Sequence, residues 1–269
     1  MNLSKHNPIV EVETLKLDLT EDDLSQLNDY EFDYVVHLAA VSSIKNAKSN
    51  EQKTLDINLN GTRKLLVNVL RRKTPLKKLI FMSSVTVYQE VDTDITEDEE
   101  ALVDQGANAY SYSKHLAELE CKKYEDKIPM IIFRLANAYG PYQRVGKTPN
   151  LIPQIVDQAL REHKIEIYNG DFARDFIYVS DIVEAILKGM ESDFEGTLNL
   201  GTGYATKVSD IAQAVANELG VEVMDLKHKI DAPMELVPNI ALVKDKLGWE
   251  PEVSLTEGLK KTIEYYKRS

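Results

Sequence analysis

The sequence predicts an α/β protein built on a doubly wound parallel sheet. Three observations carry that expectation. Near-continuous apolar runs at 32–39, 76–82 and 130–134 have the pattern of strands buried on both faces. Between the first two, Leu55, Leu59, Leu65, Leu66 and Val69 recur at helical spacing over 50–71. The alternation of strand and helix in this order is the signature of crossover units in one parallel sheet.

The elements follow in chain order. Residues 9–17 alternate apolar and polar and read as a strand ending at Asp18-Leu19-Thr20. Thr20 followed by Asp23 suits a helix start, with a short helix to Leu27. After the 76–82 strand, a loop at 92–100 holds six acids and reads as solvated. A helix over 108–123 and the strand at 130–134 come next. Asn137-Ala-Tyr-Gly-Pro-Tyr142 is rich in turn formers and opens a second region. There, 151–161, 181–190, 208–219 and 255–266 read as helices, and 165–168 and 197–200 as strands. The expected domains are 1–140 for the parallel sheet and 141–269 for the second region, with segments around 174–203 returning to the sheet.

Composition excludes several classes. The chain has 269 residues, 43% hydrophobic and 28% charged, with a formal net charge of -12. That balance fits a globular protein and argues against a nucleic-acid or anionic-membrane surface. Cys121 is the single cysteine, so no intrachain disulfide can form. The five His are scattered without ligand spacing, and no metal site is expected. No apolar run approaches the roughly 20 residues that span a bilayer. The cytoplasm is the expected compartment.

The chemistry centres on Tyr110-Ser-Tyr-Ser-Lys114, read with Ser84 at the end of an apolar strand. On a helix, Tyr110 and Lys114 share a face about 6 Å apart along the axis. A Lys ammonium there favours the phenolate and makes the Tyr an acid/base usable near neutral pH. Ser84 could hold the substrate oxygen for that Tyr.

Around this set, His37-Leu-Ala-Ala40, Asn58-x-x-Gly-Thr62, Ser83-Ser84-x-x-Val-Tyr88, Arg134-x-x-Asn137-x-Tyr-Gly-Pro141 and Arg174-Asp-Phe-Ile-Tyr-Val-x-Asp181 occur in order, and Leu247-Gly-Trp-Glu-Pro251 closes the series. Together they resemble the NAD-dependent epimerase/dehydratase family, extended short-chain dehydrogenases acting on nucleotide sugars. The resemblance implies a Rossmann-like sheet, NAD as cofactor and a nucleotide sugar as substrate. It implies Ser84, Tyr110 and Lys114 as catalytic residues, and Asp18, Leu19, Ala39, Ala40, Asn58, Tyr110 and Lys114 around the cofactor. Ser84, Asn137, Asn150, Leu151 and Arg174 would hold the substrate, with Asn137 and Arg174 on the diphosphate. Family dimers form through two helices, here 55–70 and 108–123, so a homodimer is implied. Dehydratases of the family carry Asp-Glu directly after the Ser84 position, and decarboxylases a Glu at the Thr86 position. Val85 and Thr86 stand there, which points to a 4-epimerase, with a reductase as a further reading.

The family opens with a strand, a Gly-x-x-Gly-x-x-Gly turn and a helix that carry the dinucleotide pyrophosphate. The first glycine here is Gly61. Met1-Asn-Leu-Ser4 resembles the end of the family's second strand, so the expectation is a sheet lacking its first βαβ unit, roughly 30 residues. The strand at 9–17 would then slide against the central strands or leave an edge open. A non-catalytic relative or gene fragment that binds a nucleotide sugar or a partner is the competing reading. Near the C-terminus, Asn239 stands where relatives carry an Asp before a helix. The expectation drawn from the absent glycine turn is weak NAD binding by this polypeptide. Titration calorimetry checks it, and micromolar affinity for the 269-residue chain would overturn it.

Overall fold

The computed structural model describes residues 2–3, 13–42, 44–88, 94–99, 108–145, 150–227 and 235–268. Met1, Ser4 and the 9–12 part of the first expected strand lie outside them, as do Gln89 and Pro233.

In chain order the elements are β1 (Asn2–Leu3), β2 (Thr14–Leu15), β3 (Tyr34–His37), α1 (Ile44–Ser49), α2 (Glu51–Leu55), a π-helical turn (Asp56–Asn60), α3 (Gly61–Leu70), β4 (Lys78–Ser84), α4 (Ala109–Lys122), β5 (Met130–Leu135) and β6 (Asn137–Tyr139). Then follow α5 (Leu151–Glu162), β7 (Lys164–Ile167), β8 (Ala173–Arg174), β9 (Phe176–Tyr178), α6 (Val179–Glu191), β10 (Gly196–Leu200), β11 (Thr206–Lys207), α7 (Val208–Leu219), β12 (Glu222–Asp225), α8 (Ala241–Leu247) and α9 (Leu255–Arg268). Four strands hydrogen-bond in the order β10–β5–β4–β3. Tyr34–His37 runs parallel to Lys78–Phe81, and Gly196–Leu200 parallel to Ile131–Leu135. The predicted α/β class with a parallel sheet is therefore present.

The chain divides into two compact units, residues 1–81 with 104–130, and residues 82–103 with 131–269. In the first, α4 packs on α1, α2, the π turn and α3. Leu65, Leu66 and Val69 of α3 are buried with Leu24 and Leu27 of a short 3₁₀ turn, Leu24–Asp29. That turn replaces the helix expected from Thr20. Thr20 instead donates its N–H and hydroxyl to Asp18, and the cap is Asp23, whose carboxylate accepts the Ser25 N–H.

The strand at 32–39 departs from expectation. Only His37 of β3 is buried; Val36 is 36% exposed and Leu38, just beyond, 59%. β3 ends the four-strand order, so its apolar pattern is not covered on both faces among the described residues. Thr14–Leu15 pairs parallel with Asn2–Leu3, and among the described residues the 9–17 segment shows no pairing with β3. By contrast, every residue of β4 is buried, as its apolar run predicts.

In the second unit, α5, α7 and α9 close one core over β7 and β9, with Ile152, Val156, Ile165, Phe176, Ile211, Val215, Leu259 and Ile263 inside it. Tyr139 is buried there, and its ring lies edge-on to Tyr178 at 5.4 Å. Its hydroxyl presses on α9 at Gly258, where an added Cβ would fall 2.1 Å from Tyr139 Oη. Gly inside a helix ordinarily costs about 1 kcal/mol relative to Ala. Here the close contact reverses that preference. Gly258→Ala is expected to destabilise the protein by about 2 kcal/mol through overpacking, read as a lower urea midpoint. Tyr139→Phe in the same chain, by removing the hydroxyl, should recover part of the loss.

Candidate functional site

The expected cofactor residues all lie in the first unit, and a single buried amide organises them. Asn58, 2% exposed, sits in the π turn. Its Oδ1 accepts the Val41 N–H at 2.7 Å. Its Nδ2 donates to the Val41 carbonyl at 3.1 Å and to Ser113 Oγ at 2.8 Å. Ser113 Oγ in turn donates to the Tyr110 carbonyl at 2.7 Å. Asn58 thus ties the loop that follows β3 to the first turns of α4, where Tyr110 and Lys114 stand. π turns concentrate at functional sites, and this one places the amide between two elements.

The rest of the Asn58-x-x-Gly-Thr62 motif also supports this arrangement. Leu19 is buried against Gly61, where an added Cβ would stand 3.2 Å from the Leu19 Cβ. Thr62 Oγ1 donates to the Asn58 carbonyl at 2.6 Å. The hydroxyl hydrogen being used there, His37 Nε2 must donate to Thr62 Oγ1 across their 2.9 Å contact. His37 is therefore the neutral Nε2–H form. Burial first, and the Lys114 charge second, push its pKa down to about 3.

Asn108 caps α4, its Oδ1 accepting the Ser111 N–H at 3.0 Å, and Tyr110 lies half-buried in the first helical turn. Lys114 is 5% exposed, its Nζ 5.0 Å above the Phe81 ring. Burial lowers its pKa from 10.5 to about 8, against the opposing pull of Glu118. At neutral pH it still carries its charge. Ala39 is exposed and Ala40 half-exposed, at the carboxyl end of β3. That is the end of a parallel strand at which such sheets take ligands, and small, accessible side chains there fit the close approach of a dinucleotide. Asp18 is half-buried and anchors the turn after β2.

The second unit holds the expected substrate residues. Ser84, 7% exposed, ends β4 and caps the turn Val85–Val87. Its Oγ accepts the Thr86 N–H at 3.2 Å and the Thr86 hydroxyl at 3.1 Å. Asn137 donates from Nδ2 to the Asp175 carbonyl at 3.0 Å. Arg174 donates from Nη1 to the Ala173 carbonyl at 2.7 Å and stacks over Phe172 at 5.6 Å. Burial lowers its pKa. Asn150 precedes α5 without a side-chain cap bond, and Leu151 packs on the core beneath.

The loop expected to be solvated is so at Asp94, Thr96, Asp98 and Glu99, which are exposed, while two of its residues turn inward. Ile95 is 1% exposed, and Glu97 Oε1 accepts the Asn199 N–H at 2.7 Å. Burial raises the Glu97 pKa. Arg134 Nη1 donates to Tyr88 Oη at 2.9 Å, and Tyr88 Oη donates to Asn199 Oδ1 at 2.7 Å. Asn199 Nδ2 then donates to the Ile95 and Asn239 carbonyls. Six acids in one stretch masked this, because the buried apolar residue and the bonded carboxylate sit among exposed ones. Asn239 stands directly before Ile240, the N-cap of α8, and its Oδ1 accepts the Ala241 N–H at 2.7 Å.

Among the described residues no helix is long and apolar enough to cross a membrane, and no group of His, Cys, Asp and Glu could hold a metal ion. Residues 2–201 match the model of the NAD dependent epimerase/dehydratase family. The chain belongs to that family. The family is NAD-dependent, and relatives similar to this chain include nucleotide-sugar epimerases, decarboxylases and a dehydratase. A UDP-N-acetyl-alpha-D-glucosaminuronate decarboxylase of Bacillus cytotoxicus is 29% identical over 87% of this chain and 77% of its own length. A putative UDP-glucose 4-epimerase of Methanocaldococcus jannaschii is 28% identical over 99% of this chain and 88% of its own. The crystal structure of a UDP-glucuronic acid 4-epimerase from Bacillus cereus, in complex with UDP-glucuronic acid and NAD, superposes with a TM-score of 0.84 at 26% identity, covering 95% of this chain and 82% of that one.

The depressed pKa of Lys114 has a measurable consequence. Below about 8 both the folded and unfolded chains hold the proton, and the folded state bears the full cost of the buried charge. Between about 8 and 10.5 the folded chain releases the proton while the unfolded chain keeps it, so stability rises with pH across that window. In Lys114→Met this rise should be missing, and denaturant titrations of both proteins at pH 7 and pH 10 check it. Equal pH slopes in the two would refute the assignment.

Proposed function

We propose that this protein is an NAD-dependent nucleotide-sugar 4-epimerase acting on a UDP-sugar. Bound NAD accepts a hydride from the sugar carbon and returns it to the opposite face. Tyr110 takes the proton of the sugar hydroxyl onto its phenolate oxygen as that carbon is oxidised, and gives it back when the keto sugar is reduced. Lys114 keeps a positive charge at neutral pH in a buried setting, which favours the phenolate. Asn58 and Ser113 hold the turn of α4 that carries both. Asn137 and Arg174 bind the diphosphate, for which a forked guanidinium is suited.

The observation that carries the reading is at Ser84. Its Oγ accepts two hydrogens from Thr86, and among the described residues no acceptor takes its own hydrogen, which can then donate to the reacting sugar oxygen. The hydroxyl of Thr86 also takes the place of a carboxylate, and a Thr cannot act as the acid for eliminating a hydroxyl group. The names of the Methanocaldococcus and Bacillus cereus relatives support the same reading.

The test is product analysis by NMR with UDP-glucose and UDP-glucuronic acid in the presence of NAD. The expected product is the C4 epimer with no net NADH. Release of carbon dioxide or accumulation of a 4-keto-6-deoxy sugar would overturn the epimerase assignment. Tyr110→Phe should lower kcat by about 10²- to 10⁴-fold with little change in KM.

A further inference from the structure

Asp175 follows Arg174 directly and is fully buried. A carboxylate out of water is costly unless its oxygens are fully bonded. Among the described residues every donor to its carboxylate comes from one turn. The Thr202 N–H lies 2.9 Å from Oδ1 and 2.8 Å from Oδ2, the Thr202 hydroxyl 2.7 Å from Oδ1, and the Gly203 N–H 2.7 Å from Oδ2. Burial raises the Asp175 pKa, while these bonds oppose that shift. The turn is shaped to the carboxylate: a Cβ at Gly201 would fall 2.4 Å from Asp175 Oδ2.

The same residue holds Asn137. The Asp175 carbonyl accepts both the Asn137 backbone N–H at 2.9 Å and its Nδ2 at 3.0 Å. The second Nδ2 hydrogen of Asn137 is not taken up by the described residues. The clamped turn leads into β11, where Thr206 pairs with Arg174. Asp175 therefore grips Arg174 on two sides, along the chain and through the turn to the strand opposite, and grips Asn137 directly.

We propose that Asp175 is a positioning residue for the diphosphate site, setting the spacing between the Asn137 amide and the Arg174 guanidinium. This rests on the proposed assignment of those two side chains to the diphosphate. A buried carboxylate bonded only to one turn specifies geometry; it does not itself meet an anionic ligand, which it would repel. In Asp175→Asn the NH₂, in either amide orientation, must face the backbone N–H of Thr202, so the turn shifts and the pair loses its spacing.

The experiment measures affinity for UDP and for UMP, which differ by one phosphate, in wild type, Arg174→Ala, Asp175→Asn and the double variant. Asp175→Asn is expected to weaken UDP by about tenfold and UMP much less, lowering the UDP-to-UMP affinity ratio. In the Arg174→Ala background, adding Asp175→Asn should cost about twofold or less, because the two act on one interaction. A merely structural role would weaken both nucleotides alike and leave the two substitutions additive, and either result overturns the proposal. If Arg174→Ala weakens UDP and Asp175→Asn does not, Asp175 has no such part while the diphosphate assignment stands. If Arg174→Ala binds UDP as wild type does, the assignment and the proposal fall together. Should Asp175→Asn not fold, Thr202→Ala, which removes the hydroxyl donor alone, carries the test. A smaller drop in the same ratio supports the proposal, and an unchanged ratio refutes it.

Discussion

The arrangement around Tyr110 and Lys114 depends on the buried amide of Asn58. Its carbonyl and amino groups are satisfied by Val41 and Ser113, and its backbone carbonyl by Thr62. A buried amide is costly when any of these is lost, so the network has one low-energy geometry. That geometry joins the loop after β3, the π turn and the start of α4. The His37–Thr62 contact extends it into β3 with a neutral imidazole. The proton chemistry proposed for Tyr110 requires a helix start that does not drift, and this network supplies it.

The second unit solves a related problem with charge. Its candidate substrate side chains, Arg174 and Asn137, stand on strands of two and three residues, β8 and β6, which are too short to be rigid alone. Asp175 supplies the missing constraint through its carbonyl and its carboxylate. The Arg134–Tyr88–Asn199 chain does the same for the segment after Ser84, drawing Ile95 and Glu97 inward. In both places a fully bonded polar group substitutes for regular secondary structure.

Part of the candidate site carries a local signal: Tyr110 and Lys114 at four-residue spacing, and Ser84 at the end of an apolar strand. Long elements were legible too: α7 spans the 208–219 expected from its periodicity, and α5 and α9 agree closely. What escaped were short strands stabilised by partners distant in sequence, the clamp on Asp175 and the inward turn of Ile95 and Glu97. Those depend on bonds that span 27 to more than 100 residues, such as Thr202 to Asp175 and Asn199 to Glu97.

The sequence by itself determined the alternation of the longer strands and helices and the family, and it supplied the candidates for proton transfer and diphosphate binding. Periodicity and motif order are local properties, so they can be read along the chain. Only the tertiary structure decided that Asn58 is a buried tie and not an exposed polar residue, that Lys114 lies under cover with a pKa near 8, and that Asp175 is sealed against a glycine turn. Burial and desolvation arise from atoms brought together across the fold, and no local pattern encodes them.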